Sequence, residues 1–151
     1  MATWKFEGND KYIEMLHKLD VDADESIRRA VYKGAGVVAD AIRASINSLP
    51  VDNDTKKDVR SGPTSEEKDG LAAGFGISKM KDEDGYINVK LGFAGRNVKK
   101  KANVQVARNL ESGTSWLAKN PFIRQAVNSS KKKCEETIAE ALDEEIKKST
   151  K

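Results

Sequence analysis

Ile27, Val31, Gly34, Val38, Ala41, Ile42, Ser45 and Leu49 fall on one face of a helix until Pro50 ends the pattern. An apolar stripe of that length has to be covered by another element, so it constrains the fold more than any other feature. Asp22 and Glu25 open it at capping-box spacing, with Asp where Ser or Thr is usual. Gly34, Ala35 and Gly36 lie mid-helix, where each glycine costs about 1 kcal/mol of helix propensity. Glycine at such a place points to close approach of a second element ahead of a bend.

A second stripe lies near the other end of the chain. Ile123, Val127, Ser130, Cys134, Ile138, Leu142 and Glu145 share a face, with Ala141 and Ile146 alongside. Asn120 is placed to cap this helix and Pro121 to take its first position, while Lys147 and Lys148 suit its C-terminal dipole. Between the stripes the clearest pattern is a hairpin. Leu71, Ala73, Phe75 and Ile77 alternate on a first strand, and Ile87, Val89, Leu91 and Phe93 on a second. Lys81-Asp82-Glu83-Asp84-Gly85 turns the chain, with Gly85 free to take a positive φ. Val104, Val106, Leu110 and Trp116 suggest a further short strand or two.

Two polar segments, 52–70 and 94–103, read as flexible loops. Upstream, Thr3 to Glu7 alternates as a short strand, and Asn9 caps a helix through about Leu19 whose face holds Tyr12, Met15, Leu16 and Leu19. The order β-α-α-β-β-β-α predicts a single α+β domain over residues 1–151. A small, mainly antiparallel sheet is packed by a long N-terminal helix and a C-terminal helix.

Composition removes several classes of function. One cysteine, Cys134, excludes an internal disulfide and a multi-cysteine metal site. A single histidine, His17, leaves no histidine-based zinc or triad chemistry within one chain. No apolar run reaches the roughly 18 residues of a membrane span, and the first residues lack the pattern of a signal peptide, so synthesis in a cytoplasm is expected. Net charge is only +3, the balance of 27 basic and 24 acidic residues, which does not by itself argue for nucleic acid. Charged residues nevertheless make up 34% of the chain, above the roughly 25% of ordinary domains. That excess implies solvated faces, flexible loops, or surfaces buried only in an assembly.

No catalytic, cofactor-binding or metal-binding residues are assigned. The carboxylates Asp22, Glu25, Asp82, Glu83, Asp84, Glu135, Glu136 and Glu140 occupy caps, turns and exposed faces rather than one apolar cleft. Asp52-Asn53-Asp54 lacks the glycine and glutamate of a calcium loop and reads as a solvated turn. Gly74-Phe75-Gly76 and Gly92-Phe93-Ala94-Gly95 sit in strand patterns and do not open a helix as a phosphate loop must. Cys134 falls on the apolar stripe, where a thiol acts as a small hydrophobe. Arg96, Lys99, Lys100 and Lys101 concentrate charge in the second loop. They fit a solvated loop, a loop that orders against an acidic neighbouring subunit, or a nucleic-acid-binding module contacting phosphates.

The segment Leu110-Glu111-Ser112-Gly113-Thr114, then Ser115 to Asn120, then Pro121-Phe122-Ile123-Arg124-Gln125-Ala126 is the most motif-like in the chain. Gly113 permits a tight turn, Thr114 caps locally, and Trp116 and Phe122 are placed to anchor the turn on the core. A structural turn explains Gly113, Thr114, Trp116, Asn120, Pro121 and Phe122 as well as an interaction site does. The segment resembles the hallmark of phage and prophage minor structural proteins, the neck or tail-completion family typified by the tenth gene product of an HK-type lambdoid coliphage. Its pattern is a strand ending in Glu-x-Gly-Thr, a short link, then Pro-Phe and a C-terminal helix. Val106, Arg108, Asn109 and Ser112 depart from it by making the local strand more polar.

The resemblance implies a non-enzymatic assembly protein without cofactors, made in the bacterial host and carried in the virion at the head–tail junction. It implies a ring oligomer in the virion, and the polar composition of the loops 52–70 and 94–103 suggests that a free subunit stays monomeric until a template orders them. The expected partners are head-closure and tail-tube or tail-terminator proteins, with no membrane partner and with DNA passing through the ring rather than being bound specifically. Arg96, Lys99, Lys100, Lys101, Glu111 and Trp116 are the candidate subunit contacts, and Gly113, Thr114, Asn120, Pro121 and Phe122 the structural motif.

Overall fold

In the computed structural model, residues 3–4, 23–84 and 86–149 are described, and every structural statement concerns those. The helix expected from Asn9 to Leu19, the cap at Asp22, and His17 and Gly85 lie outside them. The elements are β1 (Thr3–Trp4), α1 (Ala23–Asn47), α2 (Ser65–Gly74), β2 (Phe75–Ile77), β3 (Lys81–Glu83), β4 (Tyr86–Phe93), α3 (Asn103–Ser112) and α4 (Phe122–Ser149). Helices and an antiparallel sheet are segregated, which makes the fold α+β as the sequence predicts.

The two apolar stripes find each other. α1 and α4 lie antiparallel along their length, with Arg29 of α1 3.2 Å from Glu145 near the end of α4. Val31, Ala35, Val38, Ile42 and Ile46 of α1 are buried with Ala126, Cys134, Ile138, Leu142 and Ile146 of α4. Gly34 marks a point of close approach. A Cβ there would stand 2.5 Å from Ile138 Cγ1 and 3.1 Å from Cys134 Sγ, so the glycine lets the helices touch. Glu145, expected on the buried face, is only half-buried and accepts from Arg29.

β4 is the centre of the sheet. β1 pairs with it on one side, while β2 and β3 follow each other along the other, all antiparallel. Ile77 opposes Leu91 and Lys81 opposes Asn88, so Ser78-Lys79-Met80 face only Val89 and Lys90. This is a β-bulge, and it divides one outer strand into two. Ser78 bridges the interruption: its N–H donates to Lys90 O at 2.7 Å, and its Oγ accepts from Lys90 N at 2.9 Å. The inward face of β4 carries Val89, Leu91 and Phe93, as the alternation predicts. Phe93 contacts Phe75 (centroids 5.3 Å apart) and Phe122 (6.3 Å), linking the sheet to the first turn of α4.

Two expected elements differ. The strand predicted from Leu71 begins only at Phe75, because residues 65–74, read partly as loop and partly as strand, form helix α2. Thr64 starts that helix with a full capping box: its Oγ1 accepts from Glu67 N and its N–H donates to the Glu67 carboxylate. The strand expected around Val104 and Val106 is helix α3, which buries Asn103, Val106, Ala107 and Leu110 at helical spacing.

Candidate functional site

Asp52 organises the segment that leads into α2. Its carboxylate accepts from Ser61 N (3.0 Å), Ser61 Oγ (3.0 Å), Asp54 N (3.1 Å) and Lys57 Nζ (3.1 Å). The N–H groups of Ser61 and Asp54, then the Lys57 ammonium, hold this carboxyl far below the ordinary carboxylate range, outweighing desolvation. The solvated turn expected at Asp52-Asn53-Asp54 is therefore a staple with Asp52 buried at its centre. Asn53 Oδ1 adds a bond from Ser65 N at 2.8 Å.

Next to it lies a buried charge cluster that sequence reasoning missed. Glu67 is 3% exposed and Arg60 6%, and their charged atoms are 3.3 Å apart. Lys101 approaches the same carboxylate at 2.9 Å. Burial pushes the Glu67 carboxyl upward, but Lys101, the Thr64 N–H and Arg60 together outweigh it and leave the group below its ordinary value. Arg60 also lies over the Trp116 ring, 5.4 Å from its centroid. Its backbone pairs with the segment after α3 through Arg60 N to Trp116 O (3.0 Å) and Ala118 N to Arg60 O (2.9 Å). The signal available in the sequence was Thr64-Ser65-Glu66-Glu67, a capping-box spacing that begins four residues after Arg60.

The basic loop packs onto this cluster. A turn at Asn97 to Lys100 is closed by Lys100 N to Asn97 O (2.9 Å), with Lys100 at φ 62°. Asn97 Oδ1 accepts from Lys99 N and Lys101 N, both at 3.0 Å. Arg96 donates to Lys100 O at 2.8 Å, and Lys99 lies 3.0 Å from Glu66. Two of the four cations thus face carboxylates of α2, which lowers the positive field available to an outside phosphate.

Of the candidate contacts, the structure brings Lys99, Lys101 and Trp116 together. They line a cleft of about 360 Å³ with Lys57, Arg60 and Glu67. Trp116 is 43% exposed, and the neighbouring Val59 and Val98 are exposed too. Glu111 sits elsewhere. Its carboxylate accepts from Ile123 N at the start of α4, so it supplies a charged cap to that helix. Asn120 contributes backbone instead of the expected side-chain cap: its N–H donates to Leu110 O (2.7 Å) and its carbonyl accepts from Phe122 N (2.8 Å). Gly113 turns the chain at φ 72°, Thr114 Oγ1 accepts from Trp116 N, and Phe122 is 2% exposed. Pro121 O accepts from Gln125 N (3.0 Å), the first bond of α4.

Glu111 also borders a second, more apolar groove between α3 and α4, of about 350 Å³. Phe93, Val104, Ala107, Ile123 and Val127 form its floor, and Arg108 and Arg124 stand at its rim. Cys134, buried beneath α1, is no candidate nucleophile, since desolvation and then Glu135 push its thiol up to about 12. No described helix is long and apolar enough to cross a membrane.

Among the described residues the site presents paired charges, an exposed indole and an apolar groove. No curated protein and no solved structure matches the chain. Residues 10–113, more than half of the chain, match the model of the HK97-gp10-like family, described as "Bacteriophage HK97-gp10, putative tail-component", and the protein belongs to that family.

Proposed function

We propose that the chain is a structural subunit of a long-tailed bacteriophage or prophage that acts at the head–tail junction, where copies form a ring that completes or joins the tail. Family membership across residues 10–113 is the observation that carries this reading. The surface supports it. Exposed Trp116 shares a cleft with Lys57, Lys99 and Lys101, Val59 and Val98 in the same two segments as those lysines are exposed, and aromatic residues beside cations are characteristic of protein interfaces. In this reading the segments 52–61 and 94–103, with Trp116, present those side chains to neighbouring subunits and to head-closure, tail-tube or tail-terminator proteins, and the protein resides in the virion.

Negative-stain microscopy of particles made without the protein tests the assignment. Filled heads and separate or misfinished tails are the expected result. Particles with complete, attached tails would overturn it.

A further inference from the structure

The β3–β4 hairpin ends in an acidic tip with an exposed ring. Asp82, Glu83 and Asp84 are exposed there, and Tyr86 is 60% exposed. Ring and carboxylates together give the tip an aromatic face inside an acidic patch open to solvent. The groove between α3 and α4 is its chemical complement. Its floor is apolar, and the guanidiniums of Arg108 and Arg124 are exposed at its rim. Glu111, also among the lining residues, turns its carboxylate to the N–H of Ile123 at the start of α4, where the positive end of the helix offsets its charge.

Tip and groove stand at opposite ends of one strand. Tyr86 begins β4, and Phe93, which ends it, lines the groove. Seven steps at about 3.3 Å place them roughly 23 Å apart along a strand held on both sides by its sheet. A chain cannot seat its own tip in its own groove. A second copy can, and a contact that joins two different surfaces of identical subunits is the kind that propagates into a closed ring.

We infer that the acidic hairpin tip of one subunit docks in the α3–α4 groove of the next, with Tyr86 on the apolar floor and Glu83 and Asp84 facing Arg108 and Arg124. The inference rests on the ring assembly proposed above and supplies its interface. The basic loop at 96–101 is also cationic and lies at the same end of β4. It fits the tip less well, because Lys99 and Lys101 already face Glu66 and Glu67 and the cleft beside them holds a buried carboxylate.

The test uses the full chain in the cells that assemble the particle, with a photo-crosslinking phenylalanine analogue at position 86. Irradiated particles are digested and the linked peptides identified by mass spectrometry. Links to residues 104–127 of a second copy are expected. Arg108→Glu with Arg124→Glu should reduce their yield about tenfold, and adding Glu83→Lys with Asp84→Lys should restore it. All four residues are exposed, and an unchanged circular dichroism spectrum shows that each variant folds. Rings whose links from position 86 go to residues 96–101, to another surface of the chain, or to a different protein overturn the hairpin–groove contact and leave ring assembly standing. Particles in which no two copies of the chain touch overturn both.

Discussion

Gly34 and Gly36 lie two residues apart on α1, yet alanine should act oppositely at them. Alanine in place of a helical glycine gains about 1 kcal/mol from propensity alone. At Gly36 nothing stands within 4 Å of the new methyl, so the whole gain is realised. At Gly34 the methyl would overlap Ile138 Cγ1 at 2.5 Å and Cδ1 at 2.6 Å. Ile138 is β-branched and 1% exposed, so it has no free rotamer into which to retreat. Overpacking of this kind costs about 1–3 kcal/mol, which leaves Gly34→Ala destabilised by about 1 kcal/mol and separates the two variants by about 2 kcal/mol. For a chain of this size that separation is about 4–8 °C in Tm. Urea unfolding followed by circular dichroism gives the midpoints, and an unchanged m-value confirms that native-state stability is what moved. In an Ile138→Ala background both offending atoms are gone, and Gly34→Ala should become stabilising. If Gly34→Ala stabilises the unmodified chain as much as Gly36→Ala does, the close approach of α1 and α4 is wrong.

Two further predictions concern charge. Glu67 and Asp52 both titrate below their ordinary values of 4.5 and 3.8 when folded, so their stabilisation is present above those values and is lost as pH falls through and beneath them. A Tm-against-pH profile should be level near neutrality and fall below about pH 4.5, and Asp52→Asn and Glu67→Gln should each make that acid limb shallower. Glu67→Gln should also cost about 1–3 kcal/mol at neutral pH by leaving Arg60 buried without its charge partner. Glu111→Ala removes the charged cap of α4 and should cost about 1 kcal/mol in urea unfolding, with Glu111→Gln intermediate because it keeps the acceptor and loses only the charge.

Much of the architecture was legible because burial has a period. The α1 and α4 stripes and the inward face of β4 each repeat over enough residues to declare their element, and Gly34 declared the close approach. The shorter elements were not legible, for reasons visible at single residues. Leu71 and Ala73 continue the alternation of Phe75 and Ile77, yet only Leu71 is buried, on a helix started two turns earlier by Thr64 and Glu67. Val104 and Val106 suggest a strand by type and spacing, but Asn103, Val106, Ala107 and Leu110 are the residues that pack, and their spacing is helical. In both cases tertiary burial overrides a local preference worth less than about 1 kcal/mol per residue.

The candidate site divides along the same line. Gly113 and Thr114 act on adjacent backbone, which makes a turn readable there, whereas Pro121, expected at the first helical position, stands one residue ahead of α4 and its carbonyl accepts the first helical bond. Glu111 could not be assigned, because its partner, the N–H of Ile123, is twelve residues away and comes within reach only after Gly113 has turned the chain back. The Arg60–Glu67–Lys101 cluster is more remote still, with 34 residues between the carboxylate and its lysine. Its capping-box half is local and was there to be read. Its Lys101 contact exists only because the 94–103 turn folds over α2, a consequence of where β4 ends. The same placement puts Lys99, Lys101 and Trp116 in one cleft while carrying the hairpin tip to the far end of the sheet. An acidic tip and a cationic groove separated by the length of β4 are a property of the fold, and neither segment's sequence contains it alone.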